Sequence, residues 1–137
     1  EIECAVLGNS DPKASLPGEI LPSREFYDYN AKYLDGDKSK LLLPAPLSSD
    51  LTTQVQELAI KAFKALDCSG MARVDFLMDK KTEKIYINEL NTIPGFTKIS
   101  MYPKMWETSG LSYKKLIDEL ICLALERHRE KNELTLA

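Results

Sequence analysis

Residues 84–100 read KIYINELNTIPGFTKIS. Ile85-Tyr86-Ile87 has the β-branched and aromatic composition of a strand. The run continues through Asn88-Glu89-Leu90-Asn91 and breaks at Thr92-Ile93-Pro94-Gly95, where proline and glycine punctuate the chain. Side chains alternate along a strand, so Glu89 and Asn91, two apart, share a face. A β segment that ends in a carboxylate and a carboxamide on one face asks for a partner strand that explains them.

That partner lies just upstream. CSGMARVDFLMD, residues 68–79, reads as a strand after a glycine, and KKTEK, residues 80–84, as a polar turn. The two strands therefore form a hairpin. With the turn centred near Thr82, Asp75 lies across from Glu89 and Arg73 across from Asn91. One face then carries Arg, Asp, Glu and Asn together. Two carboxylates and an amide carbonyl are hard oxygen donors, suited to Mg²⁺ rather than to zinc. Mg²⁺ held by a few side-chain oxygens completes its shell with water and substrate phosphates. A glutamate set between two other ligands is the arrangement that two metal ions share. The bland alternative is a solvated strand face with Arg73 in a surface ion pair. Two features weigh against it. The polar positions agree across both strands, and a rigid Pro-Gly turn follows at once, where Gly95 lets a ligand come close to a backbone N–H.

The rest of the chain fits around this hairpin. EIECAVLG, residues 1–8, reads as a strand with Ile2, Cys4 and Val6 alternating against Glu1 and Glu3. A turn-rich segment and a short strand, GEILP at residues 18–22, follow. Residues 24–46 form a long connector that is aromatic at its start and closed by Pro44 and Pro46. The spacing predicts a helix from Ser48 to Asp67 with Leu51, Val55, Leu58, Ala62 and Leu66 on one face, capped by Ser48, Ser49 or Asp50. A short helix follows Pro103. Ser112 caps a last helix whose apolar face is Tyr113, Leu116, Ile117, Leu120, Ile121 and Ala124. Trp106, Met101 and Met105 pack beneath the loop after the hairpin. His128 lies exposed among charges, and Cys68 and Cys122 read as core. Strands and helices do not alternate regularly, so the class is α+β with a mostly antiparallel sheet flanked by helices.

Composition bounds the function. The chain has 137 residues, is 44% hydrophobic and 28% charged, and carries a net charge of −3. The size is that of one domain, and the charge argues against nucleic acid as a partner. Three cysteines without a C-x-x-C pair and one histidine leave no structural zinc site and suggest the cytoplasm. No apolar run is long enough to span a membrane. Residue 1 is a glutamate inside a strand, which reads as a fragment of a larger protein.

GMARVDF (70–76), INELNTIPGFTKISMYP (87–103), EIECAVLGN (1–9) and FYDYNAKY (26–33) together resemble the C-terminal half of the D-alanine-D-alanine ligase family, which has the ATP-grasp fold. The resemblance runs from Glu1 to about Leu125. It implies that residues 1–137 are one domain, the C-terminal part of the ATP-grasp unit of a longer ligase, with the N-terminal domain and the Gly-rich phosphate loop absent. It implies ATP and two Mg²⁺ ions as cofactors, with Mn²⁺ the alternative metal, D-alanine as substrate for peptidoglycan precursor synthesis, and a homodimeric parent protein. By the same resemblance Asp75, Glu89 and Asn91 hold the metals, Glu89 bridging. Arg73 and the Gly95 N–H steady the oxyanion of the tetrahedral intermediate, and Ser100 with the Met101 N–H receives the carboxylate of the second D-alanine. Glu1 matches the residue that binds the ATP ribose, and Lys32 the lysine that reaches the γ-phosphate. Phe26 and Leu77 match walls of the adenine pocket, with plain core packing as the alternative for both. Tyr33 belongs to a lid loop whose Lys-Tyr pair favours the dipeptide over D-alanine-D-lactate. The rival readings are an ATP-grasp ligase of another carboxylate and a folded module silent on its own.

Overall fold

A computed structural model describes residues 1–21 and 40–135. Six strands, β1 (Ile2–Gly8), β2 (Lys13–Ala14), β3 (Gly18–Leu21), β4 (Lys40–Leu42), β5 (Gly70–Met78) and β6 (Ile85–Asn91), form one sheet. Three helices accompany it, α1 (Ser49–Ala65), α2 (Met101–Thr108) and α3 (Tyr113–Thr135). The strand order is β4-β3-β1-β5-β6, with β2 also on β1. Every pairing among the described residues is antiparallel, as the α+β reading expects.

β1 is the centre of the sheet, and all seven of its residues are buried. The alternation of Glu1 and Glu3 against apolar neighbours predicts a strand with one wet face. The structure corrects this: Glu3 is only 1% exposed. Glu3 lies opposite Asp75 and beside Arg73, and farther along the strand helices cover both faces. Ile2, Cys4 and Val6 join Ala72, Val74 and Phe76 of β5 under α1. Ala5 and Leu7 join Met71 under Met101, Tyr102, Met105 and Trp106 of α2 and Leu116 of α3. Toward the other end of β1 and β5, that second face turns from apolar to charged at Glu3, Arg73 and Asp75, because these residues continue the same two-residue spacing.

The helices are those expected, with their faces rotated. Ser48 caps α1 by accepting from the Leu51 N–H at 3.2 Å, a contact of about 1 kcal/mol. Its buried face is Val55, Ala59 and Phe63. Leu58 and Ala62 pack at the margin, and Leu66 is 64% exposed because the helix has already ended. α2 starts at Met101, ahead of Pro103. Proline is tolerated there because a first-turn N–H has no helical partner. Met101, Met105 and Trp106 are buried as expected, and the Tyr102 hydroxyl donates to the Val6 carbonyl at 3.0 Å, fixing α2 to β1. In α3 the packed edge is Leu116, Leu120 and Leu123. Ile117, Ile121 and Leu125 of the same helix are exposed.

The cysteines separate by position. Cys4 is buried, Cys68 intermediate and Cys122 exposed, which overturns the core assignment of Cys122. Burial pushes the Cys4 thiol up to about 12, against a lowering hydrogen bond at Ser15. The thiolate is the reactive species. We therefore expect a disulfide reagent at about pH 8 to label Cys122 fastest and Cys68 more slowly, and to reach Cys4 only after urea unfolding. Native labelling of Cys4, read by peptide mass, would contradict the central place of β1.

Candidate active site

The hairpin places its four polar residues as its alternation requires. Arg73 pairs with Asn91, and Asp75 with Glu89. The route to that register was not visible in the sequence. Nearer the turn the pairs are Phe76 with Ile87, Leu77 with Tyr86 and Met78 with Ile85, and the register shifts between Asp75 and Phe76. Carried on without the shift, this pairing would set Asp75 against Asn88 and Arg73 against Leu90. One extra residue in β6, Asn88, makes a bulge that brings Glu89 opposite Asp75. Bulges re-aim side chains in this way beside functional sites. Asp79 holds the turn, its Oδ1 accepting from the Lys81 N–H at 3.0 Å, the Thr82 N–H at 2.7 Å and the Thr82 hydroxyl at 2.9 Å.

The side chains then lock together. Arg73 donates from Nε to Asp75 Oδ1 and from Nη2 to Asp75 Oδ2, both at 2.7 Å. This is the two-pronged pairing that suits a planar guanidinium and a carboxylate. Arg73 Nε also lies 3.4 Å from Glu3 Oε2. Glu3 sits directly across β1 from Asp75. Burial alone would lower the Arg73 guanidinium, but the Asp75 hydrogen bond and the charges of Glu3, Asp75 and Glu1 outweigh it and hold it above its ordinary value. Burial pushes the Asp75 carboxyl up, opposed by the Arg73 contacts. A nearby cation favours the charged form of such a carboxylate.

Asn91 differs from expectation. Its amide nitrogen, not its carbonyl, faces the acids, donating to Asp75 Oδ2 at 3.2 Å and to Glu89 Oε1 at 3.1 Å. One N–H₂ group thus lies between two carboxylates where a positive partner is wanted, and a hard cation there would call for the opposite amide orientation. With Asp75 fully buried and Glu89 exposed, the two carboxylates are of the type that suits Mg²⁺, and the amide oxygen would complete the set only once the Asn91 side chain turns over.

The remaining predicted residues fall in three groups. Glu1 joins the site, since carboxylate oxygens of Glu1, Glu3 and Asp75 all lie within 4.8 Å of one another. Leu77 is 51% exposed beside its partner Tyr86, 57% exposed, on the face that carries Asp75. It is therefore a surface wall rather than core. The second group is the loop after β6. A Cβ on Gly95 would stand 3.0 Å from the Ser100 hydroxyl, so a side chain here would press on that hydroxyl and make it give by a few tenths of an ångström. That hydroxyl accepts from the Thr97 N–H at 3.0 Å and lies 2.9 Å from the Thr97 hydroxyl. It makes no capping bond to α2, although Ser100 is the N-cap residue. Met101 is buried, 7% exposed, so it contributes backbone rather than side chain to this loop. In the third group, Phe26, Lys32 and Tyr33 lie outside the described residues. Glu3 is the site residue that the sequence reading missed. Its spacing from Glu1 was the available signal.

Comparison with known proteins identifies the family. The family described as D-ala D-ala ligase C-terminus matches residues 1–122. The D-alanine–D-alanine ligase of Thermoanaerobacter sp. (strain X514) is 69% identical over 131 residues, which cover 96% of this chain and 36% of that protein. The structure of the D-alanine-D-alanine ligase from Coxiella burnetii matches with a TM-score of 0.84 at 51% identity, over 98% of this chain and 34% of that one. The D-alanine–D-alanine ligase of Bacillus anthracis complexed with ATP matches with a TM-score of 0.76 at 33% identity, over 95% of this chain and 41% of that one. The chain spans about a third of the length of the curated relatives it matches.

Proposed function

The chain belongs to the D-ala D-ala ligase C-terminus family, and from that premise we propose that it supplies the metal-binding and oxyanion-binding part of an ATP-dependent ligase joining two D-alanine molecules. The observation that carries this reading is the convergence of Arg73, Asp75, Glu89 and Asn91 on one hairpin face, with Gly95 and Ser100 on the loop that leaves it. In the proposed reaction the carboxylate of the first D-alanine takes the γ-phosphoryl group of ATP. The amine of the second D-alanine then attacks the acyl carbon, and phosphate departs.

Each residue has work in that scheme. Asp75, Glu89 and Asn91 would hold Mg²⁺, which when bound offsets charge on the phosphates. Arg73, charged at every working pH, faces the developing oxyanion with the Gly95 N–H. Donors fixed beforehand lower such a barrier most. The Ser100 hydroxyl and the Met101 N–H, at the start of α2, suit a carboxylate because a helix N-terminus favours negative charge. Glu1 would accept from ribose hydroxyls, and Leu77 would line the adenine side. The product would serve peptidoglycan precursor synthesis in the cytoplasm. No helix among the described residues is long and apolar enough to cross a membrane.

The test places this chain in the Thermoanaerobacter ligase in exchange for the matching segment. The chimera is assayed for phosphate release with Mg-ATP and D-alanine, then with D-lactate or D-serine added, and products are read by mass. We expect release with D-alanine alone and the D-alanyl-D-alanine mass. Release only with another carboxylate would keep the ATP chemistry and discard D-alanine. A soluble chimera that binds ATP but releases no phosphate with any of these would overturn the reading.

A further inference from the structure

Arg73 has two demands on it that conflict. Its guanidinium is clamped on both oxygens of Asp75 at 2.7 Å. Yet in the reading above Asp75 turns to a cation and Arg73 turns to an oxyanion. If Asp75 were the sole anchor, recruiting it as a ligand would release a half-buried arginine at the moment it has to be held still.

Glu3 resolves this. It projects from the central strand directly opposite Asp75, is 1% exposed, and presents Oε2 at 3.4 Å from Arg73 Nε. That nitrogen is one of the two that Asp75 uses. Glu3 Oε2 and the Asp75 carboxylate therefore flank the same N–H. With the Nε–H aimed at Asp75 Oδ1, the Glu3 contact is an ion pair; swinging that N–H toward Glu3 and closing the distance by about 0.5 Å would make it a charge-assisted hydrogen bond. A buried carboxylate on a central strand cannot move far itself. We propose that Glu3 is a positioning residue for Arg73: it takes over the Nε–H when Asp75 engages a cation, so the guanidinium stays aimed while its terminal nitrogens are freed. The role for catalysis rests on the ligase reading; the anchoring itself does not.

The anchoring is tested on the chain alone, by NMR of arginine Nε–H groups, with Arg73→Lys to assign the signal. Asp75→Asn stands in for an Asp75 whose charge is engaged elsewhere, and Asp75→Ala removes both its oxygens. We expect the Arg73 Nε–H to remain protected from solvent exchange in both variants. Adding Glu3→Gln should speed its exchange at least tenfold. If protection collapses in Asp75→Asn and Asp75→Ala while each remains folded by methyl dispersion, the proposal is wrong whatever the chimera does. In the chimera, Glu3→Gln should lower kcat about fivefold or more and leave KM for ATP and D-alanine nearly unchanged, since an oxyanion contact is made only in the transition state. A rise in KM with kcat intact would assign Glu3 to substrate binding and overturn the positioning role. Absence of ligase activity in the unaltered chimera would instead sink the functional reading and leave the NMR result standing.

Discussion

Changing Glu89 to glutamine in the chimeric ligase lowers kcat by about three orders of magnitude, or about 4 kcal/mol, the scale of losing a ligand that offsets transition-state charge. The same change leaves folding nearly untouched. Glu89 is exposed on β6, the edge strand of the described sheet. Its contact with the Asn91 N–H at 3.1 Å can be kept by the Gln oxygen. Exposed substitutions of this kind stay within about 0.5 kcal/mol, which for a domain of this size is a melting shift of about 2 °C or less. What glutamine removes is the negative charge opposite Asp75. Binding of Mn²⁺ by the chimera with ATP, followed by electron paramagnetic resonance, should weaken in parallel with kcat. Glu83→Gln in the neighbouring turn serves as control, with unchanged rate. Activity of Glu89→Gln within tenfold of the unaltered chimera would mean that the acid on this strand is a solvated face and nothing more.

The hairpin was legible because two independent patterns had to agree, the alternation on each strand and the polar turn between them. Asp75 across from Glu89 is the outcome of both. The bulge at Asn88 was not legible. Nothing in IYINEL marks an extra residue, and only the pairing of Phe76 with Ile87 near the turn, set against that of Val74 with Leu90 beyond it, reveals the slip. The burial of Glu3 was hidden for a different reason. Alternating charge and hydrocarbon ordinarily means one wet face, and it takes the place of Glu3 opposite Asp75 and beside Arg73 to show that this acid is enclosed. The same gap explains Cys122. Periodicity finds a helix, but which part of its apolar arc is covered depends on neighbours far away in sequence. The Asn91 amide illustrates a third limit: a residue type names the donors it owns, and the charges around it decide which of them points inward.

Arg73→Ala carries the second large effect, and it falls on stability as well as rate. Removing the guanidinium leaves Asp75 and Glu3, 0% and 1% exposed, as adjacent buried acids without their shared cation. Breaking a buried pair from one side costs about 3–5 kcal/mol, a melting shift of about 10–20 °C in a domain of this size. The pH dependence gives the cause away. Burial already raises the Asp75 carboxyl, and the Arg73 hydrogen bond is what opposes it; without Arg73 the folded-state value rises further above the unfolded one. A carboxyl raised on folding binds its proton more tightly in the native state. Its stabilising contribution is therefore complete below the unfolded value and is lost as pH climbs through the folded one. Urea midpoints should accordingly show the variant losing most at neutral pH and recovering toward the unaltered chain near about pH 4–5. Arg73→Lys separates charge from shape. Lysine restores the cation but cannot reproduce the fork to both Asp75 oxygens, so stability should recover in large part while kcat in the chimera stays down by about 10²–10³, the loss typical of a missing oxyanion donor. If Arg73→Ala were equally destabilised at both pH values, the buried acids would not be what the arginine holds in place; if Arg73→Lys were fully active, a point charge would suffice at the oxyanion and the two-pronged geometry seen at 2.7 Å would serve the fold alone.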